Sequence, residues 1–132
     1  MLEFALVIPI FIFVLYGIIA FGIMLSAKQS LVNAATEGAR AAVGSTGSTA
    51  QVAAAKAAVQ RSLTSSVQQY DANDTSEFEA HVDYCTGTSG SKCIFVNLTY
   101  PYSSKPLIPQ APGLGLVTPS TLTAHAVVQV PG

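Results

Sequence analysis

Met1-Leu2-Glu3-Phe4-Ala5-Leu6-Val7-Ile8-Pro9-Ile10-Phe11 opens a run that stays apolar to Leu25. From Phe4 to Leu25 there is no charged residue. An α-helix needs about 20 apolar residues to cross the hydrocarbon core of a bilayer, and this stretch meets that length. Its first charge is acidic, Glu3, and no Lys or Arg precedes Lys28. A secretory signal peptide shows the reverse order, a basic start followed by a shorter apolar core. A carboxylate at the lip of such a helix is costly and calls for a role.

Working outward, residues 1 to about 43 read as one long helix, about 65 Å at the helical rise per residue. Pro9 lacks an N–H and crowds the preceding turn, so a kink is expected there. Gly22, Ser26, Ser30, Ala34, Gly38 and Ala42 recur at every fourth position. They form a small-residue ridge suited to close helix–helix packing. Leu31, Ala35, Ala39 and Val43 run beside it.

Gly44-Ser45-Thr46-Gly47-Ser48-Thr49 is a break, and a second helix is expected from about Ala50 to Gln68, with Ser48 or Thr49 as its N-cap. Val52, Val59, Leu63 and Val67 mark its inner face; Gln51, Lys56, Gln60 and Gln68 mark an outer one. Alternation predicts strands over residues 77–84, 94–100 and 121–130. In the last, Leu122, Ala124, Ala126, Val128 and Val130 share a face. Between the second and third strands lies a Pro- and Gly-rich stretch, which Leu107, Ile108, Leu114 and Leu116 are expected to anchor.

The expected fold class is therefore α+β. A long hydrophobic N-terminal helix (1–43) leads to a small head (44–132) of one helix and a three-stranded or larger antiparallel sheet. Cys85 and Cys93 flank the turn of the first hairpin, and their spacing suits a disulfide in an exported domain. Two cysteines without nearby His fill too few positions for structural zinc.

Composition excludes several classes of function. Half the residues are hydrophobic, 10% are charged and the net charge is −1, so there is no basic patch for nucleic acid. Ser and Thr abound without a nucleophile elbow or phosphate-binding loop. His81 and His125 lie on strands and read as solvated, as do Glu77, Glu79 and Asp83. No catalytic residue, metal ligand or cofactor is expected. Asn73-Asp74-Thr75 and Asn97-Leu98-Thr99 match the glycosylation acceptor pattern.

Glu3-Phe4-Ala5-Leu6-Val7-Ile8-Pro9, together with Asn33-Ala34-Ala35-Thr36-Glu37-Gly38-Ala39-Arg40, resembles the TadE-like pilins of the tight-adherence branch of type IV pili. The resemblance covers roughly residues 1–43. It implies a leader removed by a prepilin peptidase, residence in the inner membrane, and extraction by an ATP-driven machine into a helical filament outside the cell. In that family the acid stands fifth in the mature chain. Here it stands third, so either this chain starts within the mature sequence or the cleavage site differs.

The resemblance assigns to Glu3 an assembly role, pairing with the free amine of a neighbouring subunit, at Met1 if that residue is the mature N-terminus. Glu37 and Arg40 would pair along the helix where it meets the head. The partners expected are copies of the chain itself, the prepilin peptidase and the pilus machinery, with a membrane before assembly and no nucleic acid. The alternative is a minor pilin, or a single-pass membrane-anchored accessory whose head binds a partner.

Overall fold

A computed structural model of the chain describes residues 2–63, 67–87, 90–108 and 118–130. The chain runs α1 (Leu2–Val43), α2 (Ser48–Leu63), β1 (Phe78–Tyr84), β2 (Lys92–Tyr100) and β3 (Leu122–Val130). The strands form one antiparallel sheet in the order β1-β2-β3. This is the α+β layout expected, with a sheet of three strands. Met1, Leu114 and Leu116 lie outside the described residues.

Helix α1 is continuous through Pro9. Its buried positions start at Ala20 and continue with Met24, Ala27, Leu31, Ala34, Ala35, Ala39 and Ala42. The steps of four and three are those of one helical face turned to a partner. That face is not the ridge of every fourth residue. Ala34, Gly38 and Ala42 are buried, Ser30 is half-buried, and Gly22 and Ser26 are exposed. A strict spacing of four drifts around a helix of 3.6 residues per turn, so the ridge leaves the packed face within three turns. Val43, at the end of the parallel row, is also exposed.

The buried half of α1 packs on α2 and on the inner face of the sheet. One apolar cluster joins Leu31, Ala35 and Ala39 of α1 to Val59 and Leu63 of α2 and to Ile94, Val96, Leu98 and Tyr100 of β2. Leu107 and Ile108 pack against this cluster, as the loop reading required of them. The two helices approach closely at Gly38. A β-carbon built there would lie 2.6 Å from Val59 Cγ2 and 3.2 Å from the Ala55 carbonyl oxygen. A side chain at that position would have to displace Val59.

Helix α2 starts two residues earlier and ends earlier than expected. The Gly47 carbonyl accepts from the Gln51 N–H (3.0 Å), so Gly47, at φ +92°, takes the N-cap place expected of Ser48 or Thr49. Gln51, expected on the outer face, is buried, and its Nε2 donates to the Ser45 carbonyl at 3.1 Å. The amide folds back over the interhelical turn and satisfies a carbonyl of that turn. Gln60 also turns inward at its tip: its Oε1 accepts from the Ala72 N–H at 2.8 Å. Val59, Leu63 and Val67 are buried as read, and Val52 is half-buried.

The first hairpin is closed by the Cys85–Cys93 disulfide, with Cα atoms 5.0 Å apart. The Cys85 N–H donates to the Ser91 carbonyl at 2.9 Å, closing the same loop through the backbone. Gly87 and Gly90 both adopt positive φ in this turn. β3 keeps the inner face assigned to it, from Leu122 to Val130.

Candidate assembly surface

The functional candidate is a surface rather than a cleft. From Phe4 to Leu15 every large apolar side chain of α1 is between 43% and 75% exposed. These residues point in all directions around the helix, and among the described residues the head covers only the part of α1 beyond them. Ile18, Ile19 and Phe21 are exposed as well. The segment Glu3–Val43 is long and apolar enough to cross a membrane. Glu3 stands exposed at its end, and among the described residues no side chain forms an ion pair with it.

At the other end, Lys28 is the first cation. It lines an open groove with Leu25, Gln29, Val32 and Asn33, all exposed. Glu37 and Arg40 are exposed too, and no ion pair joins them within 4.0 Å. Two long solvated side chains gain too little from pairing in water to hold one geometry.

The head is tied together by polar contacts that alternation alone does not reveal. Glu77 was expected on the solvated face with Glu79 and Asp83. Instead it precedes β1 and is 2% exposed, in a salt bridge with Lys105. Its other carboxylate oxygen accepts from the Asp71 N–H at 3.0 Å. Its carbonyl accepts from the Tyr70 hydroxyl at 2.8 Å and from the Thr99 N–H at 2.8 Å. Lys105 also donates to the Gln69 carbonyl at 3.1 Å. These bonds fasten the loop after β2 to the loop before β1. Burial pushes the Tyr70 phenol well above its usual range, with the Glu77 and Asp71 charges adding to the effect. Burial raises Tyr100 and Tyr102 as well. Asp74 is held below the usual carboxylate range by hydrogen bonds from Ser76.

The outer sheet face carries Glu79, Asp83, His81 and His125, all exposed. The His81 ring stacks on Phe95 at 5.2 Å between centroids, and Val127 sits across from Phe95 on β3. Among the described residues no three His, Cys, Asp or Glu gather as a metal site would require. Of the two acceptor-pattern asparagines, Asn73 is exposed, with its Nδ2 bonded to Asp71 at 3.0 Å, and Asn97 is half-buried in the central strand.

An exposed apolar half-helix ending in one acid is the arrangement that the two motifs of α1 imply, and comparison with known proteins meets it there. Residues 1–40 match the TadE-like protein family. The TadE-like segment thus spans both motifs and stops at Arg40, the last residue of the second. The head beyond it lies outside the match. No curated protein and no solved structure matches the chain. The TadE-like segment includes both halves of α1: the bare one and most of the part that the head encloses.

Proposed function

We propose that the chain is a structural pilin of a tight-adherence pilus, which polymerises through the bare half of α1 and serves adhesion at the cell surface. The TadE-like match associates it with that pilus system. The observation that carries the reading is the division of α1: one half is consumed by the head, and the other exposes its large apolar side chains on every side. Water does not tolerate such a surface, so a bilayer or other apolar helices must cover it.

Both environments serve in turn. Before assembly the bare half spans the inner membrane, with the head outside the cytoplasm, where the Cys85–Cys93 disulfide is stable. A prepilin peptidase processes the chain, and the pilus machinery then draws it into a helical filament. Lipid tails are about as apolar as Leu, so exchanging lipid for neighbouring helices changes the hydrophobic term little. Close packing and polar pairing then decide the balance. Glu3 is the group whose surroundings change most, because an acid buried among helices without a cation is strongly unfavourable. A neighbour's N-terminal amine supplies one such cation.

Filaments sheared from cells and analysed by mass spectrometry should contain this chain as their bulk component. Glu3→Ala should lower filament yield while the full chain in detergent keeps its circular-dichroism spectrum and melting temperature. Normal yield from that variant would remove Glu3 from assembly. The second reading, a minor pilin or a membrane-anchored accessory, draws on the outward row of His81, Phe95 and Val127, a surface on which a partner could dock. Filaments carrying the chain only in traces would favour it.

A further inference from the structure

The bare half of α1 is bounded by two opposite charges. Glu3 lies at one end, Lys28 lies 25 residues on, and nothing between them is charged. Both are exposed, and neither has an ion-pair partner among the described residues. On one straight helix they are about 37 Å apart, so they cannot meet within a chain. Lys28 also does not stand alone. Leu25 precedes it by three residues and Val32 follows by four, 45% and 43% exposed, on the side of α1 that the head leaves open. Around Glu3 the pattern is complementary, with Leu6 and Val7 one turn beyond the acid.

We propose that the groove at Leu25, Lys28, Gln29, Val32 and Asn33 seats the N-terminal turn of a second copy, whose Glu3 pairs with Lys28. The inference rests on the filament reading and names the contact that sets its register. Copies drawn from one membrane share one orientation. A parallel neighbour shifted by about 37 Å along the axis brings its Glu3 to Lys28 and its Leu6 and Val7 to Val32. Lys28 is the cation suited to this. Arg40, the next along α1, has the competing acid Glu37 one turn before it and a large apolar residue, Val43, on one side only, whereas Leu25 and Val32 bracket Lys28 on both. Out of water, the pair penalises any shift that separates the charges, which is how one buried polar contact fixes a register. The role is separate from the amine contact, since a carboxylate has room for both donors.

The test is a doubly substituted chain, Val7→Cys with Val32→Cys, which keeps Glu3 and Lys28 and probes the same stagger, expressed as filaments and mildly oxidised. The two positions cannot join within one chain, so the staggered contact yields a ladder of covalent multimers. Single variants yield no ladder. In parallel, Lys28→Gln should reduce filament yield about tenfold or more, as loss of one partner from a desolvated pair does. The charge-exchanged chain (Glu3→Lys with Lys28→Glu) should recover yield relative to either single reversal. Cross-linking that stops at dimers would indicate an antiparallel pair and overturn the stagger. Filaments rich in the chain that show neither a ladder nor any effect of Lys28→Gln would overturn the contact and leave the filament reading standing. Absence of the chain from filaments would overturn both.

Discussion

The two halves of α1 form one continuous helix, yet they differ in residue type and meet opposite surroundings. The first half carries Phe, Ile, Leu and Val around its whole circumference and, among the described residues, stays exposed over most of its length. The second half carries Ala, Ser and Gly with a single fully buried leucine, Leu31, and it is enclosed by the head. Side-chain volume separates them. Small residues let α2 and the sheet approach the helix axis, whereas bulky ones all round leave no direction in which a small head could cover them. A helix that is apolar on every side is one meant for a membrane or for the interior of an assembly.

The sharpest way to break this comparison is to truncate one large side chain in each half. Leu31→Ala should destabilise the head by about 2–5 kcal/mol, the cost of emptying a fully enclosed site. Phe11→Ala should leave head stability within about 0.5 kcal/mol, because its side chain is 61% exposed. Denaturant unfolding of both variants in detergent measures the difference. Equal losses would mean that the head does not use the two halves differently.

A second contrast uses two glycines. Gly38→Ala should cost about 1–3 kcal/mol, since its new methyl group would lie 2.6 Å from Val59 Cγ2, closer than real side chains come, and 3.2 Å from the Ala55 carbonyl oxygen, a tight contact. Gly22→Ala meets nothing within 4 Å and should leave the fold unharmed, adding up to about 1 kcal/mol of helix propensity. The same measurement reads both. A Gly38→Ala protein as stable as the parent would show that α1 and α2 do not meet as described.

The smallest effect concerns the head alone and sets its pH range apart from that of the bare helix. Tyr70 is held neutral by burial, so its folded pKa lies above the ordinary value of 10.0. For an acid raised on folding, the stabilising contribution is complete below the unfolded pKa and is lost as pH rises through the folded one. The head should therefore weaken above about pH 10. Tyr70→Phe should lose the bond to the Glu77 carbonyl at neutral pH and show a shallower alkaline decline. Thermal melts at pH 8 and pH 11 compare the two slopes, and equal slopes would clear Tyr70 of the effect.

Much of this arrangement is legible in the residues. The span of α1, the three strands and the Cys85–Cys93 pair follow from local signals: an unbroken apolar run, alternation, and two cysteines around a Gly-rich turn. What escapes such reading depends on partners distant in sequence. Glu77 alternates in phase with Glu79 and Asp83, and Lys105, 28 residues on, together with the Asp71 N–H draws it inward. Gln51 looks like an outer residue because the carbonyl it satisfies belongs to the turn before its own helix. The ridge of every fourth small residue is real in sequence, but the packed face follows steps of three and four, so Gly22 and Ser26 fall off it. Gly38 lies on both patterns, and its necessity appears only once Val59 is placed against it.

The central claim is that the bare half of α1 is buried by copies of itself. Cryo-electron microscopy of sheared filaments tests it most directly. The account predicts a repeating subunit whose residues 4–25 line the filament core, fully covered by neighbouring helices, with the head outside. A filament core built from another chain, or one in which this helix is absent or still faces solvent, would contradict it.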